Sequence, residues 1–263
     1  MREEPQKGEF AGMVAVVTGA ARGIGSAIAA ELQARGAQLV LVDRDAEALA
    51  RTAAELTGPE LPEVSHFAAD LADLEAIAAV AAQIWTAVSR IDVLVNNAGI
   101  EVDVPFERIT AELFDRVMAV NLRAPLLLTQ ALAGRFPAEG GAIVNIASIH
   151  ARFAFDHAIP YACSKAGLLA LTRNLALELA PRKIRVNAVC PGYIDTPMWE
   201  EWLAADPDPE MLAARTAALH PLGRRGVPSD VATAVAFLAS PAAPWVTGTS
   251  LVVDGGLTVR AHP

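Results

Sequence analysis

A doubly wound α/β fold, with a parallel sheet of seven strands and helices on both faces, is what this sequence predicts, on three observations. Short runs of Val, Leu, Ile and Ala alternate with longer alanine-rich segments of helical periodicity along the 263 residues. The short runs are apolar throughout, as strands covered on both faces must be. Glycine turns and polar residues cluster where those runs end, and ligands bind outside the C-terminal strand ends of such sheets.

Taken in order, residues 1–10 are polar and are expected to fray. Met13-Val14-Ala15-Val16-Val17 reads as a buried strand, and Thr18-Gly19-Ala20-Ala21-Arg22-Gly23-Ile24-Gly25 follows at once, opening a helix through Arg35 that stops at Gly36. Glycines remove the Cβ atoms that would hold a pyrophosphate away from the backbone, and the helix's free N–H groups favour its negative charge. Gly19, Arg22, Gly23, Ile24 and Gly25 are therefore candidates for a dinucleotide site. The spacing is not the three-glycine fingerprint, because three residues separate Gly19 from Gly23, so an ordinary tight turn is the alternative.

Gln38-Leu39-Val40-Leu41-Val42 is a second strand and ends at Asp43, eighteen residues after Gly25. An acidic residue at about 20 residues beyond the glycines holds adenosine ribose hydroxyls, and its charge repels a 2′-phosphate. That favours NAD over NADP, with Arg44 and Arg22 as counter-evidence, since either suits a 2′-phosphate if Asp43 turns aside. Helices are expected over residues 45–56 and 73–89, with a short strand at 64–68 between them. Asp70 and Leu71 close that strand where an adenine ring would lie. Strand four, 91–95, runs into Asn96-Asn97-Ala98-Gly99, whose small residues let a cofactor approach the backbone while Asn side chains tie strands together.

A helical region spans 110–135 with Asn121 inside it, a poor mid-helix residue that is either a tolerated surface position or holds a water or a local kink. Strand five, Ala142 to Ala147, delivers Ser148 to the sheet edge. Tyr161 and Lys165, four residues apart on the next helix, share a face, and a nearby cation favours an ionised phenol. That helix runs to Ala180 and is stopped by Pro181. Strand six, Lys183 to Cys190, ends at Pro191-Gly192 and places Tyr193, Ile194, Asp195 and Thr196 at the same edge. Residues 195–220 read as a helical excursion that covers a site, and a last helix at 229–239 precedes the strand Ser250-Leu251-Val252-Val253.

Composition narrows the function. With 53% hydrophobic but only 5% aromatic residues, the core is built of Ala, Val, Leu and Ile in one domain spanning 1–263. No apolar run reaches the roughly 18 to 20 residues that span a bilayer, and Met1 to Lys7 lack a signal peptide's apolar region, so a soluble, cytoplasmic protein is expected. Cys163 and Cys190 are too few for a disulfide framework or a cysteine-based zinc site. A net charge of −9 argues against nucleic-acid or anionic-membrane partners, leaving small molecules and copies of the chain itself.

Thr18-Gly19-x-x-x-Gly23-x-Gly25, Asn96-Asn97-Ala98-Gly99, Asn121, Ser148, Tyr161-x-x-x-Lys165 and Pro191-Gly192 occur together in order. On these motifs the sequence resembles the short-chain dehydrogenase/reductase family over residues 10–257. The resemblance implies a Rossmann-type domain that binds NAD, with Asn97, Ala98, Gly99, Pro191 and Gly192 against the cofactor. It implies a catalytic tetrad in which Tyr161 is the general acid/base, Ser148 polarises the substrate oxygen, Lys165 binds nicotinamide ribose and lowers the Tyr161 pKa, and Asn121 holds a relay water. Thr196 looks like the carboxamide contact and Ile194 a backbone contact beside it. No metal is required, and a homotetramer built on the Tyr161 helix and the C-terminal strand is implied.

Candidate substrate residues are Glu101, His150, Arg152 and Trp199. Glu101 and His150 resemble positions beside the substrate in the family's glucose dehydrogenases and suit several hydroxyls; Arg152 suits a carboxylate; Trp199, with Trp202, Phe153 and Phe155, suits an apolar or cyclic alcohol. The expected activity is hydride transfer between NAD(H) and a polyhydroxylated or cyclic secondary alcohol. An NADPH-dependent 3-ketoacyl reductase and a non-catalytic NAD-binding sensor or scaffold are the alternatives.

Overall fold

Inner strands of Val, Leu, Ile and Ala bury both faces, and the computed structural model of the chain, which describes residues 8–260 except Glu60 and Ala205, assembles them with two partly exposed edge strands into one parallel sheet of seven. They are β1 (Val14–Thr18), β2 (Gln38–Asp43), β3 (Val64–Ala68), β4 (Val93–Asn96), β5 (Gly141–Ile146), β6 (Ile184–Pro191) and β7 (Ser250–Val253), in the order β3-β2-β1-β4-β5-β6-β7. Residue Val17 pairs with Leu41 on one side and Val95 on the other. The chain therefore winds outward from β1 through β3, then restarts at β4 on β1's other flank. A crevice opens at that reversal, outside the C-terminal ends of β1 and β4.

Helices α1 (Gly23–Ala34) and α9 (Pro228–Ala239) cover one face, where Ile28 and Leu32 meet Val231, Val235 and Leu238. The other face holds α3 (Leu74–Ala87), α5 (Ala124–Leu132) and α6 (Ile159–Leu179), with Ile77, Ile84, Leu128 and Ala176 in its core. Helix α2 (Ala46–Glu55), capped by the Asp45 carboxylate, carries the chain from β2 to the edge strand β3.

Three boundaries differ from the sequence reading. Residues 1–7 lie outside the described residues, but Phe10 is fully buried, its N–H bonds the Arg35 carbonyl at 2.9 Å, and Glu9 pairs with Arg35 at 2.9 Å. One phenylalanine in a polar stretch is enough to dock residues 8–10, so these do not fray.

The helical region at 110–135 is a composite of α4 (Ala111–Met118), a π-turn (Ala119–Arg123), α5 and a short 3₁₀ turn (Ala133–Arg135). Pro125 lacks an N–H and its ring crowds the carbonyl four residues back, Asn121, so the ladder admits an extra residue there. The whole stretch Ala111–Arg135 is long and apolar enough to cross a membrane by length and composition, yet half of its most apolar window is buried inside the domain. Helix α6 ends at Leu179 rather than Ala180; Pro181 sits inside a following 3₁₀ turn, and Lys183 closes it with φ 57°.

Candidate active site

The crevice is a cavity of about 580 Å³ walled by the C-terminal strand ends and the loops that follow them. At its floor, Gly19 and Gly23 adopt φ +64° and +61°, and a Cβ on Gly25 would collide with the Gly19 carbonyl oxygen. Gly19 is hemmed in too, since a Cβ there would lie 2.8 Å from the Ala98 Cα. The Arg22 side chain makes no cap on α1, so the helix's first N–H groups face the cavity without a side-chain acceptor. An uncapped helix start over a glycine cradle fits a pyrophosphate. Thr18 and Asn97 hold the cradle: the Asn97 amide donates to the Thr18 and Gly19 carbonyls at 2.9 Å each, while the Thr18 hydroxyl accepts from the Asn97 and Ala98 N–H groups at 3.0 and 3.1 Å.

Asp43 stands at the end of β2 with both oxygens engaged, accepting from the Ala21 N–H and the Asp45 N–H at 3.0 Å each. Asp70, Leu71 and Arg44 line the same end of the cavity. The Asp70 carboxylate is held below its ordinary range chiefly by the Ala72 N–H, at 2.9 Å, with Arg116 adding. Arg22 reaches toward Glu201, 4.0 Å off across the mouth.

The reactive groups gather at the opposite end. Ser148 follows β5 and is buried, its oxygen accepting from the His150 N–H at 3.2 Å. Tyr161 and Lys165 face it from α6; Lys165 is 3% exposed, and its ammonium donates to the Ile146 carbonyl at 2.8 Å and lies 5.4 Å from the centre of the Tyr161 ring. Burial lowers the Lys165 pKa to about 8 against the opposing charge of Glu101. Tyr161 is pushed up, first by burial and then by the Glu101 charge, while the Ser148 hydroxyl pulls the other way. This departs from the lowered phenol pKa that the resemblance implied. One of the three ammonium N–H groups is engaged by the Ile146 carbonyl, and the Glu101 carboxylate acts on the phenol in the opposite sense to the lysine.

Asn121 lies in the π-turn, so the kink is real. Its Oδ1 accepts from the Ile100 N–H and its Nδ2 donates to the Ile100 carbonyl, both at 2.9 Å, and to the Ser164 hydroxyl at 3.0 Å. It thereby pins the loop after β4 to α6. Gly99 is next to this clamp, and a Cβ there would press to 3.3 Å from the Lys165 ammonium.

Pro191 ends β6, Gly192 must lack a side chain because a Cβ would meet that of Asp254 at 2.9 Å, and Ile194 bridges to Gly226. Thr196 accepts from the Trp199 N–H at 3.3 Å and abuts the Gly23 turn. From there α7 (Pro197–Ala204) and α8 (Pro209–Leu219) form the excursion.

Of the four candidate substrate residues, three line the cavity. Glu101 sits 3.8 Å from His150 Nδ1, and the imidazole stacks on Phe155 at 4.0 Å and meets the Tyr161 ring edge-on at 5.3 Å. Glu101 retains 34% side-chain exposure, but the walls around it withhold enough water to raise its pKa to about 7, with Asp103 adding and Lys165 opposing. Burial lowers His150 to about 4. Trp199 is buried against Tyr193 and Trp202.

Arg152 is the correction. Its guanidinium donates to the Ser250 hydroxyl on β7 outside the cavity, because the single 3₁₀ turn Ile149–Ala151 rotates it away from His150's side. Sequence reasoning did not single out Asp103, Asp156 or His157, which reach the mouth from aperiodic loops, or Tyr193 as a wall residue. The expectation that Asn side chains tie strands together holds for Asn96, which donates to Asn145 on β5 at 2.8 Å; the continuation from Asn145 to Thr172 at 2.9 Å, which locks α6 to them, was not foreseen.

A parallel sheet with a glycine cradle at its switch point, and serine, tyrosine and lysine at the next strand ends, defines a Rossmann-type oxidoreductase. Residues 19–258 match a family model described as enoyl-(acyl carrier protein) reductase. The chain is 39% identical to D-threitol dehydrogenase of Mycolicibacterium smegmatis over 95% of its length and 94% of that protein. It is 38% identical to the 3-oxoacyl-[acyl-carrier-protein] reductase of Thermotoga maritima over 94% and 98%. The ligand-free aldohexose dehydrogenase of Thermoplasma acidophilum superposes with a TM-score of 0.85 at 33% identity, covering 98% of each chain. The chain belongs to the short-chain dehydrogenase/reductase family, and it is an oxidoreductase of secondary alcohols.

Proposed function

We propose that this protein, as one cytoplasmic domain assembled into a homotetramer, transfers hydride between NAD(H) and a polyhydroxylated or cyclic secondary alcohol. The observation that carries the reading is that Ser148, Tyr161 and Lys165 open into the same cavity as the glycine cradle. A nicotinamide dinucleotide, when bound, supplies the hydride-accepting and hydride-donating chemistry. Gly19, Gly23, Ile24, Gly25, Asn97, Ala98 and Gly99 would hold its phosphates and backbone-facing edges, Asp43 its adenosine ribose, Asp70 and Leu71 its adenine, and Lys165, Pro191, Gly192, Ile194 and Thr196 its nicotinamide half.

In the oxidative direction Tyr161 takes the alcohol proton as the carbinol carbon gives up hydride, and Ser148 donates to the same oxygen. Such proton transfer contributes roughly 10²- to 10⁴-fold. Lys165, its ammonium 5.4 Å from the centre of the Tyr161 ring, opposes the rise that burial and Glu101 impose on the phenol, and Asn121 fixes the loop and helix beside it and would hold the relay water. Glu101 and His150 accept and donate hydrogen bonds to neighbouring hydroxyls, with Phe155, Tyr193, Trp199 and Trp202 stacking on carbon faces.

A second reading, an NADPH-dependent 3-ketoacyl reductase, draws on the 38% identical relative and on Arg22 and Arg44. Asp43 opposes a 2′-phosphate, and Glu101, Asp103 and Asp156 around the substrate end oppose an anionic carrier. Initial rates for tetritols, hexitols, aldohexoses, cyclic alcohols and hydroxyacyl thioesters, each with NAD and NADP, test the choice. Turnover of a polyol or cyclic alcohol with NAD is expected. Turnover of thioesters alone with NADP installs the second reading, and cofactor binding without any turnover returns the protein to a sensor or scaffold.

A further inference from the structure

The excursion α7–α8 covers the cavity, and a single side chain outside it reaches three of its points. Arg225 lies between α8 and α9. Its Nε donates to the Asp195 carboxylate at 2.6 Å, its Nη1 to the Ala213 carbonyl at 2.9 Å, and its guanidinium carbon sits 4.8 Å over the Trp199 ring. Asp195 is the root of the excursion, Trp199 lies in α7 and Ala213 in α8.

The base of this arm is rigid. The neighbouring Arg224 makes a two-pronged pair with Asp230, at 2.7 and 3.0 Å, in the first turn of α9, which packs on α1. Backbone bonds from Asp195 to Gly226 and from Gly226 to Tyr193 stitch the arm to the end of β6. Of the further links, Arg22 to Glu201 at 4.0 Å between exposed side chains is of the kind that contributes little, and Arg260 donates to the Ala218 carbonyl at the end of α8 at 2.9 Å without reaching α7 or the cavity wall. Arg225 is only 17% exposed on its side chain. A planar guanidinium suits this position because it can pair, donate and stack at once, which an ammonium cannot.

We infer that Arg225 is a positioning residue for the oxidoreductase reaction: it straps α7 and α8 to the core and seats Trp199 as a wall of the substrate end. The inference rests on the function proposed above only in where the substrate lies. Trp199 contacts Tyr193 at 5.8 Å and Trp202 at 4.9 Å, so releasing it loosens the whole aromatic wall while leaving Ser148, Tyr161 and Lys165 in place.

The test compares the wild type with Arg225→Met, which keeps the stem's volume over Trp199, and with Arg225→Lys. Amide hydrogen exchange and initial rates on the polyol that the wild type oxidises are both read. In Arg225→Met, amides of α7 and α8 should exchange about tenfold faster while those of β1, β5, α6 and α9 keep their rates. The KM should rise about tenfold with kcat changed by less than about threefold, the pattern of lost ground-state binding. Arg225→Lys should fall between. Unchanged exchange in α7 and α8, or an unchanged KM, overturns the inference; so does faster exchange across the sheet, which makes Arg225 a general stability residue. If the wild type oxidises no polyol, the proposed function fails, and the exchange measurement still decides for or against the strap.

Discussion

Replacing Lys165 with methionine should stabilise this protein while destroying its activity. The residue is 3% exposed and burial brings its pKa from 10.5 to about 8. A difference of that size corresponds to ~3 kcal/mol by which folding disfavours the charged form. Methionine keeps the unbranched stem and removes the charge. It also removes the 2.8 Å bond to the Ile146 carbonyl, at a cost of about 1 kcal/mol, so the net gain is ~2 kcal/mol. In a chain of this size that raises Tm by about 5 °C.

The pH dependence identifies the cause. Because the folded value is depressed, the full penalty stands below about pH 8, where lysine is charged in both states. Between about 8 and 10.5 the folded lysine loses its proton while the unfolded one keeps it, and the penalty shrinks. Thermal unfolding of both proteins at equal concentration should therefore show a wide gap at pH 7.5 and a narrow one at pH 9.5. A variant less stable than wild type at pH 7.5, or the same gap at both pH values, would refute the reasoning.

Other outcomes follow from the same geometry. Tyr161→Phe keeps the ring edge against His150 and should lower turnover by about 10²- to 10⁴-fold with NADH binding, read by fluorescence, unchanged; preserved turnover would remove Tyr161 from the mechanism. Asp43→Ala should raise the NADP-to-NAD ratio of kcat/KM by about tenfold or more, and a constant ratio would mean that Asp43 does not read the ribose. Glu101 has its pKa raised to about 7, so it is ionised above that pH, and the KM for a polyol should fall as pH rises from 6 to 8; Glu101→Gln should flatten that profile, and an unaltered profile assigns the titration elsewhere. Phe10→Ala should cost about 3 to 5 kcal/mol in denaturant unfolding, whereas a neutral effect would detach residues 8–10 from the core.

What could be read from the sequence was whatever depends on local pattern. Inner strands of a parallel sheet are apolar on both faces, so β2 was legible nearly to the residue from Gln38–Val42, and the partly exposed edge strand β7 was legible from its short apolar run Ser250–Val253. The glycine cradle was legible because backbone approach allows no other residue at Gly25. Phe10 was not, because one buried side chain in a polar segment leaves no periodicity. The π-turn was signalled by Pro125, four residues after Asn121, but the extra residue in the ladder depends on what Asn121 binds across the fold. Arg152 and His150 are two residues apart on a single turn, and nothing local says which of them faces the cavity. The upward pull on Tyr161 was not legible for the same reason, since burial and then the Glu101 charge are both supplied by distant segments.

The charge distribution of the cavity ties these points together. Its adenine end carries the uncapped start of α1 with Arg22 and Arg44, and its substrate end carries Glu101, Asp103 and Asp156. Under the proposed function an anionic dinucleotide would lie with its phosphates at the first end, and the second would favour a neutral partner over an anionic one. The groups that leave their ordinary pKa furthest, Glu101, His150, Tyr161 and Lys165, lie together at that substrate end. Burial displaces each of them, and the shift at Lys165 is a free-energy cost to the fold. A site that only held a dinucleotide would need none of that cost, because the cradle and Asp43 are satisfied by ordinary hydrogen bonds. Its concentration beside Ser148 is what supports the proposal that protons move at that end.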